Sequence, residues 1–286
     1  MKSIFKVAAL ASLLALAGCA GTLKAPSANV DAAKLPMVKA ASANPPRSIL
    51  YVGNSFMYYN NSLHSITSRL ALGSVNGKEA NHRATSLTIS GSGIDWHDLE
   101  SYLRPDGLGR YSFVGDNEVR FNPPGRQYDS VILMDCSQCP IHPKLQSIFY
   151  EYAKKHSETL RKHGSEPILF MSWAYSDVPA MTEQLAAEYI KAGQQNNALV
   201  VPAGYAFANS VAKRPDLSLI IADKRHPTLA GTYLAACTVL ASVYKINPIG
   251  SKYAAGLSPE VAKHLQTVAW ETSQAFHAKH GRGSLN

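Results

Sequence analysis

Ser55, His226 and Asp223 are the three side chains whose types and spacing suit acyl transfer. A serine hydroxyl attacks poorly until a base takes its proton, and the base works best when a third group holds its ring. Histidine is the side chain that exchanges protons near neutral pH. In Asp223-Lys224-Arg225-His226-Pro227 a carboxylate stands three residues before a histidine. His64, His82, His97 and His142 compete for the role of base, but none has this carboxylate spacing. Taken singly, Ser55 reads equally as a helix cap or turn serine, and Asp223 as a turn residue. The pairing of the two segments points to chemistry.

These residues need a scaffold that brings chain positions 55 and 226 together. Ile49-Leu50-Tyr51-Val52-Gly53-Asn54-Ser55-Phe56 is a short β-branched and aromatic run ended by Gly-Asn-Ser. Such a run reads as a strand buried on both faces. A serine just past it lies at the carboxyl end of a parallel sheet, where open α/β folds place their ligands. Further strands are expected at 85–90, 128–134, 167–173 and 198–202, with a short one at 217–222. Helices are expected at 60–72, 95–103, 142–163, 178–195, 205–213 and 228–244, with Pro227 suited to the first turn of the last. A final helix runs from Pro259, behind the cap Ser258, to about His280. Residues 111–121 alternate around Gly115-Asp116-Asn117 and read as a small hairpin between core elements. Alternation of strands and helices calls for a parallel sheet covered on both faces, with right-handed crossovers.

Gly53-Asn54-Ser55-Phe56 resembles the nucleophile block of the SGNH (GDSL-type) hydrolases, and Asp223-x-x-His226-Pro227 resembles their C-terminal block. The order along the chain agrees, and the resemblance spans residues 47–250. It implies a three-layer α/β/α, flavodoxin-like fold with a central parallel sheet. It further implies ester hydrolysis through an acyl-serine intermediate, with Ser55 as nucleophile, His226 as base and Asp223 orienting the base. No cofactor and no metal are expected. The family's usual block has Asp where this chain has Asn54; Asn keeps an acceptor and gains donors, so a hydrogen-bonded turn can survive.

The resemblance also implies an oxyanion hole: the serine's own N–H, a glycine after the second strand and an Asn side chain after the third. Ile89-Ser90-Gly91 matches the glycine block through Gly91, with Gly93 a close second. After Val131-Ile132-Leu133 the family has Gly-x-Asn-Asp, whereas this chain continues Cys136-Ser137-Gln138-Cys139-Pro140. Gln138 falls at the Asn position and carries the same carboxamide one methylene further out; Ser137 is the alternative donor. Cys136-x-x-Cys139 leaves three readings open: a disulfide framing this loop, two free thiols, or a redox or zinc site with His142. Cys237 lies on an apolar helix face and reads as inert core. Trp96, His97 and Tyr58 are candidates to line the pocket.

The chain of 286 residues carries 28 Lys+Arg against 20 Asp+Glu, a net charge of +8. One domain of up to roughly 250 residues is the natural reading. No dense basic block with interleaved aromatics occurs, so nucleic acid is not an expected partner. Residues 1–19 read as a lipoprotein signal: Lys2 and Lys6 precede an apolar run too short to span a bilayer, and Leu16-Ala17-Gly18-Cys19 resembles a bacterial lipobox. The competing reading is an ordinary secretory signal cut nearby. A lipid on Cys19 would tether the body to a membrane. Ala20 after the cysteine implies sorting to the outer membrane of the cell envelope. Residues 20–46, rich in Ala, Pro, Ser, Asn and Lys, read as a flexible tether, and 47–286 as the hydrolase domain. The expected substrate is a short acyl ester, acetyl-like, of a small molecule or glycan. The alternative is a catalytically silent SGNH-like lipoprotein that binds carbohydrate, and a weaker third is a thiol–disulfide or metal protein built on the Cys pair.

Overall fold

The computed structural model describes residues 39, 42, 44–74 and 83–281, all within one compact unit, Pro36–Asn286. The expected signal segment and Cys19 lie outside the described residues, as does His82. Within the stretch expected as a tether, Lys39 is tied to the body: its N–H donates to Ala198 O (3.3 Å) and its ammonium pairs with Glu166. Among the described residues no helix is long and apolar enough to cross a membrane.

The chain begins with β1 (Ser48–Gly53), the one-turn α1 (Ser55–Tyr58), α2 (Leu63–Ser74) and β2 (Arg83–Thr88). After a 3-10 turn at Ile94–Trp96 come α3 (Leu99–Tyr102), the hairpin β3 (Tyr111–Gly115) and β4 (Glu118–Phe121), and β5 (Ser130–Leu133). A second 3-10 turn, Cys139–Ile141, leads into α4 (Gln146–Lys162), β6 (Glu166–Phe170), α5 (Met181–Gln195), β7 (Leu199–Val201), α6 (Ala203–Lys213), α7 (Leu229–Val243) and α8 (Pro259–His280). Five strands form a sheet in the order β2-β1-β5-β6-β7, and every pairing is parallel. With the separate β3–β4 hairpin set aside, this is the 2-1-3-4-5 order of flavodoxin-like folds. Helices cover the sheet: α7 packs on α2, α6 and α8, and α4 packs on α3 and α5.

The residue pattern explains the layering. All of β5 and nearly all of β1 are buried, as a central strand covered on both faces requires. β2, at the sheet edge, is half-buried throughout. In α7 every residue after Leu229 is buried, Cys237 included, which is what a helix apolar on all sides must do. The register aligns the strand ends: Gly53 opposes Thr88, and Val52 opposes Leu133. The loops after β1, β2 and β5 therefore leave one edge of the sheet side by side.

Several boundaries differ from expectation. The helix expected at 60–72 starts at Leu63, because Asn60, Asn61 and Ser62 all have positive φ and cannot be helical. The helical segment at 95–103 splits into the 3-10 turn and α3, divided at His97 and Asp98, where Asp98 caps α3. The strand at 85–90 sits two residues earlier. The segment at 217–222 forms no strand; only an isolated bridge joins Ile220 to Pro227. Pro227 stands before the α7 cap rather than in the first turn, since Thr228 caps through Gly231 N–H (3.2 Å).

Candidate active site

The nucleophile segment is built from β1 outward. Gly53 must be small: a Cβ there would lie 2.8 Å from Met57 Sδ and 3.3 Å from Met134 Cβ. Asn54 then caps α1, its Oδ1 accepting from Phe56 N–H (3.2 Å). Its Nδ2 donates to Ser92 O (2.9 Å) and to Asp135 O (3.2 Å). One carboxamide thus joins the loops after β1, β2 and β5. The departure from the usual Asp now has a physical reason, since an ionised Asp offers acceptors only and would face two carbonyls. Ser55 opens α1, so its own N–H is an orphan helix-start donor.

Ser55 Oγ lies 2.8 Å from His226 Nε2, and His226 Nδ1 lies 2.5 Å from Asp223 Oδ2. Asp223 Oδ1 accepts from the N–H groups of Arg225 (2.8 Å) and His226 (2.9 Å). Desolvation, the largest single influence, pushes the Asp223 carboxyl upward; those two backbone bonds and the imidazole together outweigh it and hold the carboxyl down at about 2. Asp223 is therefore an anion at neutral pH, and its bond fixes the tautomer with Nδ1 protonated and Nε2 free to accept from serine. The imidazole is flanked by rings. Tyr59 stacks on it (4.5 Å, 12°) and Phe56 meets it edge-on (5.4 Å, 74°). Phe56 continues into a stack with Trp173 (4.6 Å) and Phe207 (4.2 Å from Trp173).

The opposite side of the site is arranged by Asp135, two residues past the end of β5. Its Oδ1 accepts from Ile94 N–H (2.8 Å) and Cys136 N–H (2.7 Å), tying the β2 loop to the β5 loop. Burial raises the Asp135 carboxyl to about 6, against the pull of those two bonds. Gly93 packs on this carboxylate, where a Cβ would lie 3.2 Å from Asp135 Oδ1 and 2.4 Å from Asp95 Oδ1. Gly91 differs: space around it is open, but its φ of +71° favours glycine and strains any other residue. Gln138 is exposed, opens the 3-10 turn and makes no side-chain hydrogen bond among the described residues. Ser137 Oγ bonds Tyr175 OH (2.7 Å), and the Tyr175 ring carries the Arg225 guanidinium (4.5 Å), so the β5 loop touches the histidine loop.

Cys136 and Cys139 are joined as a disulfide, which leaves no thiolate there to bind a metal with Asp135 or His142. Of the candidate pocket residues, Trp96 and Tyr58 are exposed. His97 is not available to a ligand: it is buried, bonded to Ser92 Oγ (3.1 Å), and burial drives its imidazole down to about 4, so it is neutral. A cavity of about 800 Å³ opens at the amino-terminal ends of the central strands, by Pro45, Arg47, Asp129 and Glu166. The Ser55–His226–Asp223 geometry, rather than cavity size, marks the candidate site. Sequence reasoning did not single out Ser92, Asp135, Tyr59, Asn60 or Trp173. Asp135 carries a signal of its own: a carboxylate closing the apolar run Val131-Ile132-Leu133-Met134.

No family model and no curated protein sequence matches this chain. Solved structures do. A catalytic mutant of an acetylxylan esterase from Geobacillus stearothermophilus shares 15% identity at a TM-score of 0.50, covering 70% of this chain and 94% of that one. A Slackia heliotrinireducens protein proposed to be an SGNH hydrolase shares 17% (TM-score 0.49, 68% and 97% covered). A DUF4886 family protein from Bacteroides uniformis shares 16% (TM-score 0.48, 78% and 93% covered). At 15% identity the first of these establishes a shared fold, the three-layer α/β/α arrangement with a central parallel sheet.

Proposed function

We propose that this protein is an SGNH-type serine ester hydrolase. The observation that carries the reading is Ser55 Oγ at 2.8 Å from His226 Nε2, with Asp223 on the other ring nitrogen. In this mechanism Ser55 Oγ attacks the ester carbonyl carbon as His226 takes the hydroxyl proton. The C–O bond to the alcohol breaks, and His226 returns the proton to the departing oxygen. Water then repeats the sequence on the acyl-serine, releasing the acid and restoring Ser55. Asp223 stabilises the imidazolium formed in each half. The oxyanion meets the Ser55 N–H, Gly91 N–H and Gln138 carboxamide.

The substrate we favour is a short, acetyl-like acyl ester, of a small molecule or glycan. The likeness in fold to an acetylxylan esterase supports this choice. The protein acts without a cofactor, and a lipid on Cys19 holds it to the cell envelope, at the outer membrane facing the periplasm. The lipobox-like Leu16-Ala17-Gly18-Cys19 supports that placement. A panel of chromogenic esters and acetylated sugars, wild type against Ser55→Ala, tests the activity. Membrane fractionation of wild type and Cys19→Ser tests the anchor, which is wrong if the variant stays membrane-bound. One observation favours a second reading, a silent carbohydrate-binding domain: Gln138 stands exposed and unbonded where the family has its Asn. Turnover in wild type that is lost in Ser55→Ala rejects it.

A further inference from the structure

Four consecutive carbonyls of the histidine loop are each taken by a donor. Lys224 O accepts from Ser176 N–H (3.0 Å), Arg225 O from Trp173 Nε1 (2.9 Å) and His226 O from Ile221 N–H (2.9 Å). Pro227 O accepts from Asn60 Nδ2 (3.0 Å). The first three donors come from the histidine loop itself or from the segment after β6. The fourth comes from the nucleophile's own segment, five residues beyond Ser55. The same Nδ2 also donates to Thr232 Oγ1 (2.8 Å) in the first turn of α7, so both amide protons are engaged.

Asn60 sits in unusual backbone. It begins a run of three non-glycine residues at positive φ: 55° for Asn60, 65° for Asn61 and 72° for Ser62. Such conformations persist only where the surroundings over-determine them, and they gather at functional sites. Two further bonds fix this turn: Ser62 Oγ donates to Met57 O (3.0 Å), and Ser62 N–H donates to Tyr59 O (3.0 Å). The turn leaves Tyr59, the residue between α1 and Asn60, flat against the His226 imidazole at 4.5 Å and 12°.

We propose that Tyr59 and Asn60 are a positioning clamp for the base. Asn60 grips the carbonyl of Pro227, the residue after His226, Tyr59 fixes the plane of the imidazole, and together they set the Ser55–His226 contact. Neither touches the reacting atoms. Both act through His226, so the proposal rests on the reading of Ser55 and His226 as nucleophile and base. A purely structural Asn60 would make a different forecast, a lower melting temperature with normal turnover in the folded protein.

The test uses Asn60→Gly, which tolerates the left-handed backbone and deletes only the amide, with Tyr59→Leu as a second variant if the first does not fold. Full-length folded Asn60→Gly is expected to lose roughly 10- to 100-fold in kcat with KM little changed, the scale of a misplacement of about 1 Å. Tyr59→Leu should fall in the same direction by less. Introduced into His226→Ala, either change should cost nothing further, because the group it positions is gone. Full turnover in the folded variants, or a loss that persists undiminished in the His226→Ala background, overturns the clamp while leaving ester hydrolysis intact. If wild type shows no ester turnover and Ser55 takes no fluorophosphonate, the catalytic reading fails instead. The clamp is then judged by amide exchange at Ile221: faster exchange in Asn60→Gly supports it, and unchanged exchange overturns it.

Discussion

The two halves of the site are built differently. On the base side every polar atom has a partner: Ser55 with His226, His226 with Asp223, and Asp223 with two further N–H groups. On the oxyanion side the loops are tied together by Asn54 and Asp135, yet the side chain proposed to meet the substrate, Gln138, is exposed and makes no side-chain hydrogen bond among the described residues. The base side is ready before substrate arrives. The oxyanion side keeps donors unspent, as a hole for charge that develops only in the transition state must. The scaffold of one half consists of the proposed catalytic groups themselves, whereas the scaffold of the other lies behind its proposed donors.

The comparison breaks most severely at Ser55 and His226. Ser55→Ala and His226→Ala should each remove nearly all turnover, and only wild type should carry a fluorophosphonate adduct at residue 55, read by mass spectrometry. Asp223→Asn should keep a measurable remainder although the loss can reach about 10⁴-fold, because an orienting group sets tautomer and geometry without accepting the substrate's proton. A label on another residue of active enzyme, or wild-type rates in His226→Ala, would refute the base side as drawn.

Gln138→Ala probes the other half. If its carboxamide meets the oxyanion, kcat should drop by roughly 10- to 1000-fold with little change in KM or melting temperature. Reductant should open the Cys136–Cys139 bridge and lower kcat in the same direction, with little further effect on Gln138→Ala. An unchanged kcat in folded Gln138→Ala removes Gln138 from the hole and leaves Ser137 or backbone donors to complete it.

The contrast between the halves also explains what could be read from the chain. The base side was legible because Asp223 and His226 sit three residues apart and Ser55 stands two residues past a strand buried from Ile49 to Gly53, so local spacing carries the geometry. The parallel sheet was legible for the same reason, from apolar runs alternating with helical periods. The strand expected at 217–222 was not formed, because no neighbouring strand takes its backbone beyond one bridge at Ile220. The late start of α2 was hidden because Asn60, Asn61 and Ser62 fit a helical count, and their left-handed backbone is imposed by tertiary partners such as Pro227 O. The work of Asn54 and Asp135 was hidden too, since each joins loops from separate strands. Their partners, Ser92, Ile94 and each other, are adjacent only once the register of β1, β2 and β5 is set.

The smallest expected effect sharpens the oxyanion side by titrating its scaffold. Burial raises the Asp135 carboxyl from 3.8 to about 6, so the folded protein holds that proton more tightly than the unfolded chain does. The stability associated with this group is therefore complete below about pH 4 and is lost as pH rises through about 6. Asp135→Asn keeps an acceptor oxygen for the Ile94 and Cys136 N–H groups and removes the charge. At pH 4 the variant and wild type should melt at nearly the same temperature. By pH 8 the variant should melt higher, by on the order of 10 °C for a shift worth roughly 3 kcal/mol. Thermal melts at half-unit steps of pH decide the matter. Curves that run parallel from pH 4 to 8 would show that Asp135 does not titrate as a buried carboxyl and that the Ile94 and Cys136 N–H bonds offset its desolvation in full.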